Sequence, residues 1–280
     1  MKAPRGNIMN ARIRSVAQVA LFVAVAFASS PSFAAPTIRC PDILAMFATN
    51  LQTALTNAIG GNGGLSFNMW AAIVNRDGSV CSVVFSGPND RQEQWPGSRV
   101  ISMQKAYAAN AFSLDGLPLS TANLYSAVQP GGSLYGLQHS NPVDAAAAYA
   151  GNAALFGTGI TDPAVGHKIG GINVFGGGLA LYANNEVDGN GNPVNGVVGA
   201  IGVSGDTSCT DHIVAWKVRD ALGLDFVPGG VSPTGDDNMI FDIVGSNGNF
   251  KSKSGFGHPD CGFGEKPIAL GLPANFPVGP

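Results

Sequence analysis

"VVGAIGVSGDTSCTDH", residues 197–212, decides the fold, because it begins as a strand and ends as the start of a helix. Val197, Val198, Ala200, Ile201 and Val203 form the apolar run that a buried strand needs, and Gly199, Gly202 and Gly205 interrupt it at every third place. Glycine weakens a strand through lost packing and backbone entropy. It is kept there mainly where another backbone or a ligand comes close. The polar cluster Asp206, Thr207, Ser208, Thr210 and Asp211 then supplies N-cap candidates for the helix described by "DHIVAWKVRDAL", residues 211–222.

Upstream, "NNEVDGNGNPVNG" (184–196) turns a preceding strand into this one, and "GGINVFGGGLALYA" (170–183) reads as two strands turned by Gly176, Gly177 and Gly178. "SFNMWAAIVN" and "SVCSVVFS" flank Arg76-Asp77-Gly78 as a β-hairpin, which brings the count to five antiparallel strands. Pro41 at a first helical position, then Ile43, Phe47, Leu51, Leu55 and Ile59 every four residues, with Gly60-Gly61 as a stop, predict one amphipathic helix over 41–59. "GSRVISMQKAYAANAF" (97–112) predicts a second helix and "STANLYSAV" (120–128) a short third. Residues 141–168 read as an Ala- and Gly-rich insertion with one short helix at 144–150.

Lys2, Arg5, Arg12 and Arg14 precede the apolar run 16–28, and Ser32-Phe33-Ala34 places small residues where a signal peptidase reads, so residues 1–34 are expected to be a signal peptide. Its removal takes four of the fifteen basic side chains and none of the eighteen acidic ones, moving the net charge from −3 to −7. An acidic chain without a basic cluster is a poor partner for nucleic acid. No membrane span is expected after cleavage, and the mature chain is expected to be periplasmic or secreted. In an oxidising compartment Cys40, Cys81, Cys209 and Cys261 form two disulfides by default, for which three pairings exist. A helix followed by a returning strand brings Cys81 back to Cys40. That leaves Cys209 for Cys261, which would pin the Gly/Pro-rich extension 223–280 around the domain 35–222.

The hairpin with "NRDG", "MQKAYAA" (103–109), "GGINVFGGGLAL" (170–181), "VVGAIGVSG" (197–205) and Asp211 together resemble, in order, the landmarks of the GlcG/HbpS-like family of extracellular haem-binding proteins. The resemblance covers about 66–222. It implies an α/β fold, a profilin-like α/β/α sandwich with a five-stranded antiparallel sheet flanked by helices, assembled as a homo-oligomer. It also implies haem or a similar tetrapyrrole as ligand, with a role in haem sequestration or redox sensing. The 141–168 insertion, the cysteines and the extension set this chain apart from short members.

Within that frame Lys105 can meet a propionate or another carboxylate, and Tyr107 can stack on a flat ring. Gly202 and Gly205 would let the ring lie against the strand end. His212, in the first turn of its helix, is favoured neutral and is the candidate iron ligand, with His139 and His167 beside the insertion as alternatives. The plainer reading makes His212 a helix-start residue and the glycines a seam for helix on strand. His258 reads as a solvated histidine of the tail.

Other patterns fail on their parts. Ser102 and Lys105 form an SxxK, but Lys168-Ile169-Gly170 lacks its hydroxyl residue and precedes Tyr182-Ala183-Asn184. The stretches at Ser133 and Ser204 lack the last glycine of a nucleophile elbow. Asp188–Asn192 imitates a calcium loop with Pro193 where glycine is needed. With no CxxCH, covalent haem attachment is excluded. Two rival functions stand beside the haem reading: a periplasmic enzyme acting on a small metabolite such as a hydroxyacid, and a structural oligomeric scaffold.

Overall fold

A computed structural model describes residues 38–88, 94–246 and 249–279. The expected signal peptide lies outside the described residues. Helices α1 (Cys40–Ala45) and α2 (Leu51–Ala58) lead into strands β1 (Trp70–Asn75) and β2 (Val80–Phe85), followed by α3 (Ser98–Phe112) and α4 (Thr121–Leu124). After a 3-10 turn at Ser126–Val128 come α5 (Leu137–Ser140), α6 (Ala145–Ala148) and the short β3 (Thr158–Gly159). Strands β4 (Gly178–Val187) and β5 (Pro193–Ser204) then feed α7 (Ser208–Leu222). The C-terminal segment adds a hairpin, β6 (Ile243–Ser246) and β7 (Asn249–Ser252), and two short helices, α8 (Glu265–Leu270) and α9 (Leu272–Asn275).

The main sheet has five strands in the order β3-β2-β1-β5-β4, all antiparallel. It is buried on both faces, so β1 and β2 are buried along their whole length and mostly apolar rather than alternating. Ala71, Ile73, Leu179, Leu181, Ile201 and Val203 face α1, α2 and α7, where Ile43, Leu55 and Trp216 complete one core. Ala72, Val74, Val83 and Ala200 face α3 and pack on Val100, Met103 and Ala106. The result is the α/β/α sandwich that the family resemblance implied.

Two elements differ from the sequence reading. The single helix expected over 41–59 is broken at 46–50, because Asn50 starts a new helix by accepting hydrogen bonds from Gln52 N (2.9 Å) and Thr53 N (3.4 Å). The strand expected at 171–175 pairs with nothing in the sheet. Ile172 and Val174 alternate inward as a strand's would, but they pack on Leu119, Leu124 and the partly buried Tyr107, a helical surface with no ladder to offer. The fifth strand is instead β3, from the insertion, which pairs with β2 through Thr158 and Gly159.

Both disulfides are present, Cys40 to Cys81 and Cys209 to Cys261. The second fastens the C-terminal segment to the start of α7. Further anchors are the Arg219–Asp237 pair (2.7 and 2.8 Å, both side chains fully buried) and Trp216 Nε1 donating to Phe276 O at 3.0 Å. Among the described residues no helix is long and apolar enough to cross a membrane.

Candidate functional site

Strand β5 delivers the chain to the N-terminus of α7, where the polar groups of three elements meet. Thr207 caps the helix by accepting from Thr210 N. Asp206 accepts from the backbone N–H groups of Leu65 (2.8 Å), Phe67 (3.1 Å) and Thr207 (2.6 Å), tying the loop before β1 to the turn. Asp211 accepts Asp206 N–H at 2.9 Å through one oxygen and meets Lys105 Nζ at 2.5 Å through the other. Lys105 also donates to Val203 O at 2.9 Å. Burial pushes the Asp211 carboxyl up to about 6 and the Lys105 ammonium down, and the contact between the two opposes both shifts.

Lys105 is therefore fully buried and paired with a carboxylate of its own chain, one of the two kinds of partner expected for it. The space over the glycines is likewise taken by the chain itself. A β-carbon at Gly202 would collide with Ser102 O and Ala106 N of α3, and one at Gly205 would strike the Gln94 side chain and Asn68 O. What approaches the glycine-rich strand is helix α3 and the chain's own loops.

His212 has no exposed surface. Asn238 Oδ1 is fixed as an oxygen by accepting Met239 N–H (2.8 Å), while its amide nitrogen donates to Ala269 O (2.8 Å). The His212 Nε2 atom 3.2 Å from that oxygen must therefore carry the proton, which leaves Nδ1 a buried lone pair without a partner among the described residues. Burial pushes this imidazole down to about 4, so it is neutral as expected. Yet a β-carbon on the adjacent Gly176 would lie only 2.6 Å from Met239 Cε and 3.0 Å from His212 Cβ, and a porphyrin face does not fit there. Tyr107 is half-buried among Leu134, Leu137, Val231 and Phe256, whereas His139 and His167 are exposed.

The structure corrects the reading of His258 as a solvated histidine, because the C-terminal segment packs it against α7. His258 is 2% exposed, its Nδ1 lies 2.7 Å from Pro259 O and its Nε2 lies 2.7 Å from Ser208 Oγ. A carbonyl only accepts, so Nδ1 bears the hydrogen and Nε2 receives the Ser208 hydroxyl proton as a hydrogen bond. Burial pushes His258 down to about 4. Ser208, the first residue of α7 and half-buried, also accepts Gly176 N–H at 2.6 Å. Cys209, His258 and Cys261 lie close enough to share a metal ion, but the disulfide occupies both sulfurs.

Beside His258, whose ring packs 5.0 Å from that of Tyr125, opens a groove of about 750 Å³. Tyr125, the loop from Gln129 to Ser133, and Ile243, Phe250 and Lys251 of the C-terminal hairpin line it. A second groove, of about 690 Å³, lies between the α1–α2 connection and the edge formed by β2 and β3.

A family model described as "Haem degrading protein HbpS-like" matches residues 48–219. The chain belongs to the HbpS-like family. The match contains Ser208 and stops before His258, Phe250 and Lys251, so the groove of this HbpS-like chain is closed by residues outside the matched segment. Among solved structures the chain is similar to Klebsiella pneumoniae protein ORFY, with 25% identity over 69% of this chain and 96% of that one (TM-score 0.42). It is similar to PduOC in complex with haem, at 21% identity over 65% and 93% (TM-score 0.40). It is also similar to a double mutant of HbpS from Streptomyces reticuli, at 15% identity over 75% and 99% (TM-score 0.40). No curated protein matches the chain.

Proposed function

We propose that this HbpS-like chain is an exported protein that binds haem or a similar flat tetrapyrrole as its cargo, in the groove beside Tyr125. The groove carries the proposal. Its volume of about 750 Å³ lies in the range of small-molecule sites, Tyr125 and Phe250 offer aromatic faces to a ring, and Lys251 offers a cation to its carboxylates. Phe250 is 65% exposed, an apolar cost that a bound ring would relieve. Family membership supports haem as the chemistry, and the two disulfides suit an oxidising compartment outside the cytoplasm. Among the described residues no histidine lines the groove, so the ring is held by its faces and carboxylates, and an iron ligand would have to come from an exposed histidine outside the lining, His139 or His167, rather than from the buried His212. A homo-oligomer belongs to the same proposal.

Titration of the purified protein with haemin tests it. A saturable Soret shift near one haem per chain is expected, weakened several-fold by Phe250→Ala and Lys251→Ala and unchanged in position by His212→Ala. Absence of any saturable shift in the unaltered protein would overturn the proposal.

A further inference from the structure

The hydrogen-bonded series Ser208, His258 and Pro259 O does not enter the tetrapyrrole reading, and its parts stand in the order of a nucleophile, a base and the group that orients the base. We propose that Ser208 is an acyl-accepting nucleophile with His258 as its general base, in a site that hydrolyses small carboxylic esters. Three observations carry this.

The first is geometry. Ser208 Oγ and His258 Nε2 are 2.7 Å apart, and the far ring nitrogen is held by Pro259 O at 2.7 Å, which selects the tautomer whose Nε2 can take a proton. The second is protonation: the buried imidazole is neutral at any pH above about 4, so the base is in its working form under ordinary conditions. Lys105 and His212 are the ionisable groups that face it, and both oppose its protonation, which keeps the base free of a proton but weakens it and adds to slow turnover. The third is the position of Ser208 at the head of a helix of 15 residues, beside the Gly176 N–H that lies 2.6 Å from its oxygen. In that first turn Cys209 N–H meets Cys261 Sγ and Thr210 N–H meets the Thr207 hydroxyl, so the support for developing negative charge at Ser208 Oγ comes from Gly176 N–H and the positive end of the helix dipole.

The step balances without a further reagent. Ser208 Oγ bonds to the ester carbonyl carbon as its proton passes to His258 Nε2. The bond from that carbon to the alkoxy oxygen breaks, and the departing oxygen takes the proton from Nε2, leaving an acyl-serine and an alcohol. Water then attacks the acyl carbon and gives a proton to Nε2. Ser208 Oγ leaves with that proton, and the carboxylic acid is released. A carbonyl orients the base but stabilises an imidazolium less than a carboxylate does, so turnover is slow and favours activated esters. Ser208 is half-buried, which favours short acyl groups over bulky ones.

The Cys209–Cys261 bridge brackets the pair, one residue after Ser208 and three after His258, and so holds base against nucleophile. A fluorophosphonate probe and p-nitrophenyl acetate test the proposal on the intact protein. The expected result is phosphonylation mapped by peptide mass spectrometry to Ser208, together with acetate release above the buffer rate. Ser208→Ala should abolish both while leaving the thermal midpoint within a few degrees, and His258→Gln should slow labelling by about tenfold or more. Reduction of the Cys209–Cys261 bridge should slow it as well. A serine with only a structural role would give no label, so an unlabelled Ser208 in the folded, oxidised protein overturns the proposal. Labelling at another serine with Ser208 untouched also overturns it.

Discussion

Lys105 shows how far chemistry is readable from a single residue. A lysine within a helix that faces a glycine-rich strand was expected to meet a carboxylate, and it does. The carboxylate is Asp211, 106 residues away in the same chain, because both side chains are buried between α3 and α7 where no ligand reaches. Removing one partner leaves the other charge buried without compensation. Lys105→Met should therefore cost about 3–5 kcal/mol in a urea unfolding curve, and adding Asp211→Leu should recover much of that loss. The histidines set a pH dependence. His212 and His258 are both depressed from 6.5 to about 4, so below pH 6.5 the unfolded chain takes up protons that the native one does not, and stability falls with pH until about 4. Around His212 stand Asp236, Asp237 and Arg219, and around His258 stand Lys105 and His212. Asp211, raised to about 6 by burial, works in the opposite direction between its unfolded value near 3.8 and that point. Melting temperatures recorded from pH 7 to 4 should fall, and the slope should be shallower in His212→Asn.

At the level of elements, the seam between β5 and α3 is narrow because Gly202 stands where Ser102 and Ala106 bring helix backbone onto the sheet. Gly202→Ala should destabilise by about 1–3 kcal/mol through overpacking, whereas Gly229→Ala, with no atom within 4 Å of the added carbon, should be near neutral. Chemical denaturation of the two variants side by side checks this. The helices α3 and α7 were legible through their periodic apolar faces, and the strands β1, β2, β4 and β5 through short apolar runs bounded by turn residues. The break before α2 was signalled only by one capping asparagine, which a regular four-residue spacing overrode. Residues 171–175 carry a strand's alternation without a strand's neighbour, and the pairing of Thr158-Gly159 with β2 has no apolar pattern at all. The Ser208–His258 contact was illegible for a further reason. It joins residues 50 apart across a Gly- and Pro-rich tail that has no periodicity to aim it.

On the scale of the whole molecule, the segment after α7 supplies partners that the domain cannot do without. Asp237 neutralises a fully buried Arg219, Asn238 receives His212, and Glu265 accepts the Thr207 hydroxyl at the helix cap (2.5 Å). A chain ending at Leu222 should consequently fail to give a soluble, cooperatively folded product, as read by expression and circular dichroism. In the full chain, reduction should cost about 2–5 kcal/mol per bridge, and a non-reduced digest should contain only peptides linking Cys40 to Cys81 and Cys209 to Cys261.

Each of those bridges joins cysteines that are consecutive in the chain. Were the chain exported from its N-terminus as proposed, Cys40 and Cys81 would emerge and be oxidised before Cys209 is available to compete, and Cys209 would then wait only for Cys261. An oxidase that couples thiols in their order of arrival would then make the native pairs directly, without a disulfide isomerase.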